Sequence, residues 1–203
     1  ALAIVLAYLL ALYLRFVKSK VSRLIGNLYL LPRFVPSMVA VYAMITVVRD
    51  SGLLNRISQL FGGDFRQFFF RGLVTMNMWF NIPFAALMIT AGLGAIPDSM
   101  IESARDVGAS KLRVLRSMIL PLSMKDVVIA ATFVFMSNVG SFTTPYLMGG
   151  NYPKMLGIVL FDQFNKYLRY ERAAAMSFII FLICSVSAGV YIYTNLREKE
   201  WEK

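Results

Sequence analysis

Two groups of polar residues in this chain stand out by type and spacing. The first is Glu102-Ser103-Ala104, then Gly108 after three residues, then Met118-Ile119-Leu120-Pro121 after nine more. The second is Asn77 and Asn81, four apart, with Asn138, Ser141 and Pro145 at i, i+3 and i+7 and Ser137 and Thr144 beside them. Side chains of this kind can bind and orient, and catalysis of a covalent reaction by this chain alone is not expected. The chain has no histidine, and its one cysteine, Cys184, lies in an apolar run. His-based catalysis, His or CxxC metal sites and a disulfide framework are therefore excluded. No G-x-x-x-x-G-K-[ST] phosphate loop occurs, and Gly92-x-Gly94 is no substitute, so any energy from ATP must come through another polypeptide. No catalytic residue and no metal ligand is expected.

These residues sit in a strongly apolar chain. It is 58% hydrophobic with a mean hydropathy of +0.64, too apolar for an ordinary soluble domain of 203 residues. The apolar residues fall in five segments, about 1–14, 28–48, 73–97, 127–148 and 173–196. Crossing a bilayer takes roughly 20 residues at ~1.5 Å each. The runs are continuous and do not alternate, which favours helices over a barrel. The expected fold is all-α, a polytopic helix bundle with five visible spans in one membrane domain, 1–203. Residues 1–14 reach only ~21 Å as a helix, so they are read as the end of a spanning helix whose start is missing. Pro32, Arg33 and Pro36 predict a bent start to the second span, and Pro83 predicts a kink in the third. Met155–Leu168 reads as a short amphipathic helix with Met155, Leu156, Val159, Leu160 and Phe164 on one face.

The net charge of +10 is spread over the connections and forms no single patch, which suits membrane orientation better than nucleic-acid binding. Thirteen of the 21 Lys and Arg residues fall on the side that holds 98–125 and the C-terminus, and eight on the other. The first side is expected to be cytoplasmic. No span carries an acidic residue near its centre, which counts against a proton- or sodium-coupled carrier. Asn77, Asn81, Asn138, Ser141 and Thr144 should face protein or water. They either line a translocation path or act as interhelical hydrogen-bond glue, each worth about 0.6–2 kcal/mol.

The polar stretch 98–121 has its own local logic. Ser99 and Glu102 have capping-box spacing, so a helix is expected from Met100, with Ile101, Ala104 and Val107 on one face. Gly108 suits the left-handed residue that ends it. Ser110 can cap a second helix carrying Leu112, Leu115 and Ile119 on one face, and Pro121 should break helical geometry at Leu120.

The spacing of Glu102-Ser103-Ala104, Gly108 and Met118–Pro121 resembles the cytoplasmic "EAA" loop of permease subunits in binding-protein-dependent ABC importers. Two positions depart from that pattern, Ser103 for Ala and Met118 for Ile, both small or apolar exchanges. Gly140-Ser-Phe142-Thr-Thr-Pro145-Tyr-Leu147-Met-Gly149-Gly150 and Met155–Phe164 are similar to stretches of the polyamine-type permeases, a group that also serves iron(III), thiamine and opines. With Leu31-Pro32 and Pro36 the resemblance covers nearly the whole chain. It implies the type I ABC importer permease fold, in a bacterial-type inner membrane. Glu102, Ser103, Ala104, Gly108 and Pro121 would couple the chain to an ABC ATPase dimer, which binds ATP and Mg. It further implies a second permease subunit, expected to be a paralogue, and an external solute-binding protein docked on 49–66 and 148–172. A secondary transporter or channel, or a non-transporting membrane scaffold, is the alternative.

Overall fold

The computed structural model describes residues 1–49, 52–62, 68–148 and 154–199, and among them every regular element is helical. The chain runs through α1 (Leu2–Phe16), α2 (Lys20–Leu28), α3 (Leu31–Phe34), α4 (Ser37–Val48), α5 (Leu53–Leu60) and α6 (Phe68–Gly94). It continues through α7 (Asp98–Asp106), α8 (Lys111–Val114), a π-turn (Leu115–Ile119) and α9 (Leu120–Val139). Last come α10 (Thr143–Leu147), α11 (Leu156–Phe161), a second π-turn (Asp162–Lys166) and α12 (Tyr170–Lys199).

Stretches long and apolar enough to cross a membrane are Gly72–Gly94, Lys111–Val139, Tyr170–Thr194 and Ser37–Leu60, the last passing through residues 50 and 51 outside the described set. Leu2–Phe16 is a shorter apolar helix. Four of the five expected apolar segments thus have spanning length, and the first is present at 15 residues. The second starts later than 28, because Pro36 takes an extended conformation (ψ 134°) and α4 begins only at Ser37. The fourth ends earlier than 148, at Val139, and Thr143-Thr144-Pro145 opens the separate α10. Helix α6 continues through Pro83, whose side chain is buried. Several hydroxyls in these apolar helices are satisfied locally: those of Thr46, Thr132, Ser177 and Thr194 each donate to the carbonyl four residues back.

The chain packs as two compact units. One comprises 1–31, 81–134 and 187–203, the other 32–80 and 135–186. In the first, Ala3, Ala7 and Ala11 form a buried stripe on α1, with Leu2, Val5 and Leu9 exposed on the opposite side. Small residues repeated every four positions let helix backbones approach closely, the usual packing device when lipid removes any hydrophobic drive between helices. Ala7 and Ala11 share a core with Ala85, Ala86, Ile89 and Leu93 of α6 and with Ala130 and Val134 of α9. The second unit is built on Val41, Leu73, Met76 and Met148, with Phe142, Tyr146 and Phe161 in mutual ring contact at 4.7–5.3 Å. There the predicted amphipathic helix exists over 156–166, but its buried residue is Ile158, while Leu156 and Phe164 are exposed. The second π-turn adds a residue to the turn that holds Phe164 and so moves it off that face.

Candidate functional site

The stretch 98–121 lies wholly in the first unit and is organised around Gly108. Helix α7 starts at Asp98, directly after Pro97, and not at Met100. The capping box between Ser99 and Glu102 does not form, since Ser99 is already inside the helix and its carbonyl accepts from Ser103 Oγ at 2.8 Å. Pro97 decides this: as a residue without an N–H and with ψ near 139° it sits naturally just outside a first turn. Asp98 then places a carboxylate at the positive end of α7.

The far end of α7 matches expectation. Gly108 has φ +85°, its N–H donates to Arg105 O at 2.9 Å, and Ala109 N–H donates to Ala104 O at 3.1 Å. Those two bonds are the Schellman pair that closes a helix on a left-handed glycine. A Cβ on Gly108 would meet nothing within 4 Å, so glycine is required there by conformation and not by space. Ser110 caps α8 as expected, its Oγ accepting from Arg113 N at 3.3 Å.

What α7 shows to its surroundings is polar and open. Glu102 and Ser103 are exposed, and Val107, expected on the packed face with Ile101 and Ala104, is 85% exposed. Ile101 and Ala104 do pack on the core. Val107 caps the helix C-terminus, where the chain turns over, and so leaves the helical face. Beyond Ser110, Val114 and Ile119 are buried, Leu115 is half-buried, and Leu112 is 55% exposed, contrary to its expected place on the packed face. The π-turn widens this segment by one residue and changes which side chains point inward. Pro121 does not break the helix: Leu120 is helical (φ −61°, ψ −52°), with its N–H bonded to Leu115 O five residues back. The wider turn accommodates the pyrrolidine ring that would otherwise meet the carbonyl at 117. The second half of the stretch is thus the beginning of the long span Lys111–Val139.

Two residues outside this stretch reach its flanks. Arg15, at the end of α1, donates from Nε to Leu93 O (3.4 Å) and from Nη2 to Ile96 O (3.1 Å) and Asp98 Oδ1 (2.5 Å). It thereby satisfies carbonyls at the end of α6 and the first carboxylate of α7 with one planar fork. Tyr8 Oη lies 3.0 Å from Ser123 Oγ, and Ser123, fully buried, directs its own proton to Leu120 O at 3.2 Å. In the sequence Arg15 counts only as a basic residue of one membrane face, because nothing local signals a partner some 80 positions away.

The second group of candidates is divided. Asn77 belongs to the second unit and Asn81 to the first, although both lie on one face of α6. Asn81 is 9% exposed, Asn77 half-buried, and Thr144 7% exposed. Asn138 and Ser141 are half-buried in the turn that ends α9, where Ser141 N–H donates to Asn138 O at 3.2 Å. Asn81 and Asn138 both have interaction partners. Gly157 of α11 presses on this turn: a Cβ there would lie 2.7 Å from Ser141 O. An isolated glycine inside an apolar helical run is the sequence sign of such a close approach. Gly149 and Gly150 of the same motif lie outside the described residues, as do parts of the expected outer docking segments 49–66 and 148–172.

The comparisons with known proteins bear on the fold and the family of the chain. The chain is 26% identical over 192 residues to the spermidine/putrescine transport system permease protein PotB of Escherichia coli (strain K12), covering 93% of this chain and 70% of that protein. It is 25% identical over 166 residues to the molybdenum transport system permease protein ModB of Azotobacter vinelandii, covering 82% and 74%. Its fold is similar to a chain of the bacterial alginate ABC transporter in complex with an alginate pentasaccharide-bound periplasmic protein. That likeness has a TM-score of 0.74 at 18% identity, over 98% of this chain and 73% of that one. The model of the binding-protein-dependent transport system inner membrane components matches residues 3–200. The chain belongs to that family, as a multi-pass permease subunit of an ABC importer and not an enzyme in its own right.

Proposed function

We propose that residues 98–121 are the element through which an ABC ATPase dimer, holding ATP and Mg, drives this permease. The observation that carries the reading is the build of α7: an exposed helix closed by a Schellman turn on Gly108, with the Glu102 carboxylate facing outward. Such a helix keeps its shape without a partner and offers its polar face to one. Glu102 and Ser103 supply the contact surface. Ala104 gives both a packed side chain and the carbonyl that receives Ala109 N–H. Gly108 fixes the turn, and Pro121 marks where the connection passes into the long span. The charge count on the two sides supports a cytoplasmic position for 98–125 and the C-terminus.

The partners on this reading are the ATPase dimer, a second permease that is a paralogue of this chain, and an external solute-binding protein on the outer connections. The solute is a polyamine or a related small solute; the PotB likeness favours it, although at similar identity ModB carries a different name. Asn77, Asn81, Asn138, Ser141 and Thr144 line the path. The ATPase part is tested by Gly108→Asp, which puts a charged L-residue at φ +85°. The variant should lose ATPase co-purification or import while the permease itself is retained in the membrane. Normal import of radiolabelled spermidine by G108D, in cells where the unmodified chain imports it, would remove the coupling assignment. For the solute, mass spectrometry of the small molecule retained by the partner binding protein decides: a polyamine supports the reading, and an oxyanion or sugar refutes it.

A further inference from the structure

Helix α1 touches both flanks of the 98–121 connection, with one polar group at its middle and one near its C-terminus. Near its C-terminus, Arg15 holds Leu93 O, Ile96 O and Asp98 Oδ1 together, which ties α1 to the last turn of α6 and the first residue of α7. Two turns earlier, Tyr8 meets Ser123 on α9, four residues after the π-turn ends. The Arg15 side chain is 20% exposed, so its three bonds are partly shielded from water. Between these ties α1 is separated from α7 and α8 by an apolar cleft of about 470 Å³ lined by Leu12, Phe16, Ile101, Val114, Leu115 and Ile119. The connection is therefore pinned at its two feet by polar contacts, while its middle meets α1 only through apolar side chains of the shared core and the cleft. The foot on the α9 side includes a π-turn, a wider and less regular hydrogen-bonded segment often found at functional sites.

We propose that α1 is the strut that carries force between this connection and the membrane body, with Arg15 and Tyr8 as its positioning residues. A push on α7 is delivered through Arg15 to both α1 and the end of α6, so the three elements move as one body. On the other flank the Tyr8–Ser123 bond makes α9 follow. The ion pair alone would be a weak surface contact, since Asp98 is 60% exposed. The two carbonyl bonds make the arrangement specific, because lysine offers a point charge and cannot reproduce the fork. This inference rests on the coupling reading of 98–121.

The test uses the assembled complex in nanodiscs, with spin labels at Leu9 on α1 and Met100 on α7, both exposed, in a Cys184→Ser background. The distance distribution is recorded without nucleotide and after trapping with MgATP and vanadate. In the unmodified complex it should stay narrow and unshifted between the two states. Arg15→Ala should broaden it by about twofold on trapping, as expected when a rigid body is split, with ATP hydrolysis retained. Arg15→Lys should fall between the two, and Asp98→Asn should add nothing further to Arg15→Ala. Tyr8→Phe, which leaves packing intact, should broaden a Leu9–Leu122 distribution in the same way. An unchanged distribution in Arg15→Lys and Tyr8→Phe, the variants least able to disturb folding, would overturn the proposal. Gly108→Asp is run alongside. If it leaves ATPase engagement intact, the coupling reading fails; if it uncouples while the α1 variants behave as unmodified, only the strut fails.

Discussion

Gly108 and Gly157 each stand at the boundary of a short helix, and they are glycine for opposite physical reasons. At Gly108 the backbone is left-handed, φ +85°, and the space beside it is empty out to 4 Å. At Gly157 the backbone conformation is one any residue adopts, and the space is filled by Ser141 O. The first glycine shapes a surface turn and leaves it open for something else to cover. The second lets α11 lie directly on the turn that holds Asn138 and Ser141, so that part of the molecule is closed against itself. Conformational need at one end and spatial need at the other separate an open surface turn from a packed one.

Substitutions probe that contrast, and the largest effect belongs to the filled site. Gly157→Ala puts a methyl group 2.7 Å from a backbone oxygen that cannot rotate away, so the backbone of 141–142 or of α11 must shift. A cost of about 1–3 kcal/mol is expected, read as a lower thermal midpoint and poorer recovery of the detergent-solubilised protein; an unchanged midpoint would deny the close approach. Gly92→Ala should cost a similar amount, because its Cβ would overlap Asp126 Oδ2, which rotation can clear, and would lie 2.7 Å from Asp126 Cβ, which rotation cannot move. The same midpoint measurement checks it, and an unchanged midpoint would deny that approach.

At the open site the expected cost is conformational alone. Gly108→Ala should destabilise α7 by roughly 1–2 kcal/mol, the penalty of a left-handed L-residue. Gly108→Asn should recover much of it, since asparagine tolerates that region. Hydrogen exchange at Gly108 and Ala109, whose N–H groups make the closing bonds, reports both; equal protection in the Ala and Asn variants would mean that space, and not φ, is limiting. The smallest effect is expected for Ser110→Ala. It removes the cap on Arg113 N–H and should cost about 1 kcal/mol, seen as faster exchange confined to the start of α8.

Which features are legible in the sequence follows from the range of the forces involved. Hydropathy locates the apolar helices, because a bilayer-length run needs no tertiary partner to declare itself. Gly108 and Ser110 are readable because a left-handed turn and a side-chain cap depend only on residues within a few positions. The capping box at Ser99 fails for an equally local reason, Pro97, whose influence on the helix start outweighs the S-x-x-E spacing. Pro121 misleads because the helix has a way around a proline, the π-turn, that shifts the burial of Leu112 and its neighbours with it. Arg15 and Tyr8 are invisible, since their partners are 78 to 115 positions away and pair through backbone carbonyls and a serine. Of the path candidates, the burial of Asn81 and Thr144 fits the rule that polar groups at bilayer depth face protein.

Whether the turn at Gly108 presents α7 to a partner ATPase is decided by purifying the complex through its ATPase, with the chain unmodified and with Gly108→Asp. ATP hydrolysed per molecule imported of the solute retained by the partner binding protein is then measured in the same proteoliposomes. The variant chain should be lost from the purified complex, or stay while ATP hydrolysis continues and import falls by about tenfold or more, a coupling loss of ~1.4 kcal/mol. Full recovery of G108D with the ATPase, at an unchanged ratio of ATP to solute, would contradict a coupling role for this turn.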